Sequence, residues 1–353
     1  MTINEKLSSL ATKTAPRWNG RSLGLSSDLV RIGVLVLLFA AFSFLANNFF
    51  TVPTIPRILL QTSPFTLLAI GETVVLLVGG IDFSVGAVFV FGGAVVLMLD
   101  GLGMSFGEKI ANACVVCGVI GLVNGFLVAK VRLPSFIVTL AMAIAVPSIA
   151  EGIKNFMSAL AGPGALVYQY MNELPTEFTI VTQDANGAET VLFPGISWIV
   201  IITIMVAIVS HLVLAKTRFG RSVYLVGNNP TASLLSGINV VQVKILAFVF
   251  SSMTAGLAGI LLTSRAGGPL EYAAGYGYEM IAIECAMIGG ATIAGGTGSI
   301  MGTVIGSLII GTLTMGLDMM NVDHLQLPMF LNALILIGAV YLAKDKTRSR
   351  ENL

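Results

Sequence analysis

Residues 67–99 read LLAIGETVVLLVGGIDFSVGAVFVFGGAVVLML, an apolar run broken in its middle by Gly79-Gly80-Ile81-Asp82-Phe83-Ser84. Each arm approaches the ~20 residues an α-helix needs to cross a hydrocarbon layer of ~30 Å. Outward from it, runs of that kind recur along the whole chain, at 29–50, 63–80, 84–100, 109–129, 133–154, 196–215, 244–263, 278–294, 298–318 and 324–343. The pattern predicts an all-α, polytopic membrane protein of about ten transmembrane helices, and an even number returns both termini to one side. The first run follows a polar start and is too long for a signal-peptide core, so it reads as a retained span.

Composition supports the same class. The chain of 353 residues is 56% hydrophobic and 10% charged, with mean hydropathy +0.92, whereas a soluble domain carries roughly 25% charged residues. Net charge is +1, which favours neither nucleic acid nor an acidic partner.

The distribution of charge is more telling than its sum. Lys6, Lys13, Arg17, Arg21 and Arg31 precede or begin the first run, Lys130 and Arg132 separate the fourth and fifth, Lys216, Arg218, Arg221 and Lys244 the sixth and seventh, and Lys344, Lys346, Arg348 and Arg350 follow the last. Fifteen of the nineteen basic residues thus fall on one set of loops. Basic residues mark cytoplasmic loops, so both termini are expected in the cytoplasm. The division that follows is a cytoplasmic segment 1–28, a transmembrane domain 29–343 and a cytoplasmic tail 344–353. An external loop, 155–195, holds two β-prone runs around Ala185-Asn186-Gly187 and predicts a small hairpin. A basic internal loop, 216–243, holds Asn228-Asn229-Pro230-Thr231, a helix-start signal, and predicts a short amphipathic helix at the cytoplasmic surface.

Catalytic chemistry has little to stand on. No G-x-x-x-x-G-K-[ST] phosphate loop occurs, the two histidines, His211 and His324, stand alone, and Cys114, Cys117 and Cys285 all lie in apolar runs. The chain is therefore not expected to hydrolyse ATP, bind a metal or work as an enzyme, and the Cys-x-x-Cys pair reads as helix packing. Gly121-x-x-x-Gly125 and Gly298-x-x-x-Gly302-x-x-x-Gly306 are spaced for close helix approach in lipid.

Two features stand apart. Gly79-Gly80 with Asp82 and Ser84, and Gly289-Gly290 through Gly298, free backbone groups at membrane depth, which is tolerated where protein or a water-filled cavity satisfies them. They are candidate hinges or pathway breaks, or tight turns with Asp82 capping the next helix. Glu72 and Glu284 lie inside predicted spans, where a carboxylate needs a cavity or a partner, and Ala69-Ile70-Gly71-Glu72 before Gly79-Gly80 echoes Ala282-Ile283-Glu284 before Gly289-Gly290, a hint of two related halves. Such carboxylates would also suit an ion- or proton-coupled secondary transporter.

The segments AIGETVVLLVGGIDFSVGAV, VRLPSFIVTLAM, TRFGRSVYLVGNNPTASLLSGINVVQVK and AGYGYEMIAIECAMIGGATIAGGTGSIMGTVIG, in that order and spacing, resemble the permeases of ribose-type ABC importers. Permeases for branched-chain amino acids share the architecture more loosely. The resemblance implies two permease chains, identical or not, two cytoplasmic ATPase subunits that bind the ATP and magnesium, and a periplasmic binding protein that delivers a sugar or sugar-like solute. It also implies that Gly227, Asn228, Asn229, Pro230, Ala232, Ser236, Gly237 and Ile238 form a coupling helix against the ATPase. The binding protein is expected on outer loops, including 265–278. This chain departs from the family where Glu72 replaces a common Met, Met280-Ile281 a Leu-Asp, and Glu284-Cys285 an Ala-Ala.

Overall fold

The computed structural model describes residues 22–100, 104–161, 178–183, 189–266 and 275–322. Among the described residues the regular elements are helices and one hairpin. In chain order it forms α1 (Ser22–Leu45), α2 (Thr54–Leu77), α3 (Val85–Asp100), α4 (Phe106–Ala129), α5 (Ser135–Ala161), β1 (Phe178–Gln183), β2 (Glu189–Ile196), α6 (Trp198–Lys216), α7 (Arg218–Asn228), α8 (Pro230–Leu235), α9 (Val240–Ala266), α10 (Tyr278–Ile288) and α11 (Ile300–Met319). Among these, seven are long and apolar enough to cross a membrane: α1, α2, α4, α5, α6, α9 and α11. The apolar α3 is shorter. The tenth predicted run, 324–343, the polar ends 1–21 and 344–353, and the turn at Ala185-Asn186-Gly187 lie outside the described residues. β1 and β2 pair antiparallel with Val181 opposite Val191, as the β-prone runs predicted.

Several spans differ from their predicted bounds, α1 and α5 among them, and two do so for identifiable reasons. The run expected at 278–294 is helical only to Ile288, because Gly289 and Gly290 end it. The run expected from 63 is helical from Thr54, through Pro64. Pro56, Arg57, Gln61 and Thr62 interrupt the apolar pattern of its first turns, and Thr62, Ser63 and Thr66 donate to the carbonyls of Ile58, Leu59 and Thr62, at 2.6, 2.7 and 3.0 Å. Side-chain bonds to the preceding turn hide a hydroxyl from lipid at no cost in partners.

The hub of the bundle is α2, packed by α9, α10 and α11, while α9 also packs on α3 and α4. Leu67, Leu68, Val88, Phe89, Ala258, Ile260 and Leu261 are fully buried between them, and Phe89 stacks on Tyr278 with ring centroids 4.9 Å apart. Glycines set the closest approaches. A Cβ on Gly125 would stand 2.7 Å from Ile245 Cα, and one on Gly92 2.5 Å from the Gly256 carbonyl oxygen. In lipid, helices associate by such close packing rather than by apolar burial. Gly302 and Gly306 likewise abut the carbonyls of Gly289 and Cys285, so the glycine spacing read from the sequence is a packing seam. Cys114 and Cys117 are unlinked thiols, and Cys117 packs against Gly256. On the outside, α1 turns Leu29, Val30, Leu37 and Phe44 outward, as a lipid-facing helix would.

Candidate functional site

Both glycine pairs end a helix in the same way. At the end of α2 the N–H of Gly79 donates to Leu76 and that of Gly80 to Val75; at the end of α10 the N–H of Gly290 donates to Met287 and that of Ala291 to Ala286. Gly79 (φ 75°) and Gly290 (φ 93°) occupy the left-handed position that such a six-residue closing motif reserves for glycine. The echo between the two halves of the sequence is thus a shared helix ending.

After Gly80 the chain turns back into the bundle, and four successive backbone N–H groups find side-chain acceptors. Ile81 donates to Ser135 Oγ at 3.1 Å, Asp82 to Glu72 Oε1 at 3.2 Å, Phe83 to Thr139 Oγ1 at 3.0 Å and Ser84 to Asp82 Oδ1 at 2.9 Å. Broken backbone at membrane depth must be satisfied by protein, and here α2 and α5 do so. Asp82 Oδ1 also accepts from Ser84 Oγ at 2.5 Å, Asp82 Oδ2 from Ser251 Oγ at 3.2 Å, and Ser84 Oγ from Asn124 Nδ2 at 2.9 Å. Asp82 therefore caps the entry to α3, one of the two readings its position allowed, while Glu72 ties the break to α2. Glu72, Asp82, Ser84, Asn124 and Ser251 are all 0% exposed. Glu284 is buried on α10 with Oε2 unpartnered and takes no part in this network.

The second break joins the first. Gly296 N–H donates to the Leu77 carbonyl at 2.9 Å. Into this seam runs the end of α7, whose Val223 and Val226 are fully buried. Tyr224 Oη donates to the Gly298 carbonyl at 3.0 Å, and Asn228 Nδ2 reaches the Gly296 carbonyl at 3.4 Å. Gly227 sits so close that a Cβ would overlap the Leu77 carbonyl and lie 2.5 Å from the Gly296 nitrogen. Gly79, Gly227, Gly295 and Gly296 thus meet where three segments touch. Burial pushes the Tyr224 phenol above its ordinary value, so it stays a neutral donor.

Beyond this junction, Asn229 Oδ1 accepts from Ala232 N–H at 2.9 Å and opens α8 at Pro230. Ser236 Oγ donates to Ala232, and Gly237 (φ 81°) closes the helix with Ile238 N–H bonded to Ser233. The internal loop therefore holds two helices, α7 and α8, where one was predicted. Leu234 and Leu235 are 64% and 85% exposed on α8, an unpartnered apolar tip. Asn124, Ser135, Thr139, Tyr224 and Ser251 escaped the sequence reading. The signal for Asn124 was its amide in an apolar run; the hydroxyls gave none.

No group of three or more His, Cys, Asp or Glu side chains is gathered among the described residues. A bundle of membrane-length helices, broken at two glycine pairs and tied at both breaks to a short helix pair, suits a solute permease. The chain belongs to the family described as the permease component of the branched-chain amino acid transport system, whose model matches residues 54–340. It is 35% identical to the ribose import permease protein RbsC of Escherichia coli strain K12, over 88% of this chain and 92% of that one. It is 32% identical to the L-arabinose ABC transporter permease protein AraH of Azospirillum brasilense (90% and 87%), and 31% identical to the xylose transport system permease protein XylH of Haemophilus influenzae (92% and 96%).

Proposed function

We propose that this chain is the membrane-spanning permease subunit of an ATP-binding cassette importer in the bacterial inner membrane, moving a sugar or sugar-like solute delivered by a periplasmic binding protein. Its relatives are named for ribose, arabinose and xylose transport. The chain holds no phosphate loop, so ATP and magnesium belong to two partner ATPase subunits that serve a pair of permease chains.

The observation that carries the mechanism is the tie between α7 and both helix breaks. The exposed tip of α8 docks in the ATPase, which makes Gly227 to Ile238 the coupling segment. Closure of the ATPase dimer on ATP displaces α8, and α7 passes that displacement through Tyr224, Gly227 and Asn228 to Leu77 and the 289–298 break. ATP supplies the free energy by favouring one of two conformations, as a ligand with unequal affinity for two states must. Nothing in this chain makes or breaks a covalent bond.

The test is purification of the tagged chain in mild detergent, with identification of bound proteins and assay of ATP-driven uptake in proteoliposomes. A phosphate-loop ATPase that co-purifies, and is lost on Leu235→Asp, supports the reading. A lone chain that takes up solute on an ion gradient overturns it.

A further inference from the structure

The turn after α4 and the first turns of α9 flank a groove of about 400 Å³, lined by Lys130, Asn239, Val241, Gln242, Ile245 and Leu246. That volume lies in the range of small-molecule sites. Lys130 is exposed, two residues before the exposed Arg132, and no acid among the described residues is ion-paired with either cation. Asn239 Oδ1 accepts the N–H of Gln242 at 3.0 Å, which leaves the Asn239 amide nitrogen as a donor, and the Gln242 side chain supplies a second amide. Val241, Ile245 and Leu246 make the rest of the groove aliphatic. Further along the same two helices, Leu122 and Phe126 on α4 and Met253 on α9 are exposed apolar side chains. The helices remain in contact there: a Cβ on Gly118 would stand 3.3 Å from Met253 Cγ.

We propose that this groove binds one anionic phospholipid, its phosphate held by Lys130 and the Asn239 and Gln242 amides and its acyl chains laid along Leu246, Phe126, Leu122 and Met253. One cation and two amides with no acid among them complement a phosphodiester, and Arg132 adds to the field that draws it in. The aliphatic wall suits a chain attached to that phosphate and gives a free phosphate ion nothing to bind. Asn239 follows α8 closely, so the groove shares a membrane face with the coupling segment, the face that the basic loops assign to the cytoplasm. Basic pockets between membrane helices on that side take phospholipid headgroups. The lipid would tie the α4–α5 turn to the helix that follows the coupling segment, whatever solute the protein carries.

The experiment follows the thermal unfolding midpoint of the purified full-length chain in non-ionic detergent as phosphatidylglycerol, phosphatidylcholine with matched chains, or inorganic phosphate is added. A saturable rise with phosphatidylglycerol alone is expected, as a ligand that binds only the folded state produces. Lys130→Glu should abolish the rise and Gln242→Leu should increase the half-saturating lipid concentration several-fold, while Arg218→Gln, outside the groove, leaves both unchanged. Lys130 and Gln242 are exposed, so neither substitution touches the packed core. Equal responses to the two lipids, or to inorganic phosphate and phosphatidylglycerol, overturn the proposal, as does a phosphatidylglycerol response that survives Lys130→Glu. A midpoint that rises with protein concentration instead of lipid, and ceases to do so in Lys130→Glu, gives the groove to a second copy of the chain and overturns it too.

Discussion

Gly296 donates its backbone N–H to the carbonyl of Leu77 at 2.9 Å, so the last turn of α2 and the break after α10, far apart in sequence, are bonded edge to edge. The groups in that bond belong to a helix end and a glycine loop, where backbone is left over after the helical ladders close. Gly227 covers the bond from α7.

The first prediction follows from that cover. A methyl group on Gly227 would overlap the Leu77 carbonyl, and neither backbone strand can yield without breaking the bond beneath it. Overpacking of this kind costs about 1–3 kcal/mol. Gly227→Ala should lower the unfolding midpoint and abolish uptake, and Gly227→Val should remove the protein from the membrane. Wild-type uptake by the alanine variant would show that the junction has room.

Tyr224 gives a subtler test. Its Oη donates to the Gly298 carbonyl, and Tyr224→Phe removes that bond at a cost of about 1 kcal/mol, leaving the ring and the α8 tip intact. The assembled transporter should then keep ATP hydrolysis while uptake falls several-fold, because the ATPase still docks but α7 has lost its hold on the 289–298 break. A parallel fall in hydrolysis and uptake would argue against transmission through Tyr224. Burial raises the phenol pKa from about 10 in the unfolded chain, so the neutral form is the one the fold favours. Its contribution should hold from pH 6 to 9 and fade as pH climbs past the unfolded value, a decline that Tyr224→Phe lacks.

How far the sequence alone reached depends on the kind of residue. Apolar runs exposed the long helices, since length and hydropathy suffice for a span, and Gly79-Gly80 and Gly289-Gly290 marked both breaks. Three things were hidden. The start of α2 was masked by Pro56, Arg57, Gln61 and Thr62, which interrupt the apolar run before residue 63, although the Thr62 hydroxyl is satisfied within its own helix. The acceptors for the first break, Ser135 and Thr139, are ordinary small polar residues until folding brings them to Ile81 and Phe83. The joining of the two breaks by α7 is a long-range relation between backbone groups, which carry no sequence signature.

Asp82 is the next test. Asp82→Ala would leave the N–H of Ser84 and the hydroxyls of Ser84 and Ser251 without their acceptor in a fully buried place. The penalty for several orphaned donors is about 3 kcal/mol or more. Asp82→Asn keeps an acceptor for Ser84 and should cost much less. Membrane abundance and thermal unfolding should rank wild type, Asn and Ala in that order; equal stability of Asn and Ala would mean that the cap contributes little.

The second break offers a coupled pair. Gly290 holds φ 93° at the end of α10, and a Cβ there would run into the guanidinium of Arg31, which α1 extends over Gly290 and Gly302 and which pairs with Asp28. Gly290→Ala carries two penalties, about 1 kcal/mol for the left-handed backbone and a further one for displacing Arg31. Only the second can be relieved from α1. In the variant Arg31→Ala, the same change at Gly290 should therefore cost only the backbone strain, and the unfolding energies of the two single variants should sum to more than that of the double, a coupling expected for residues in contact. Strict additivity would place the Arg31 side chain elsewhere in the membrane and release α1 from the break.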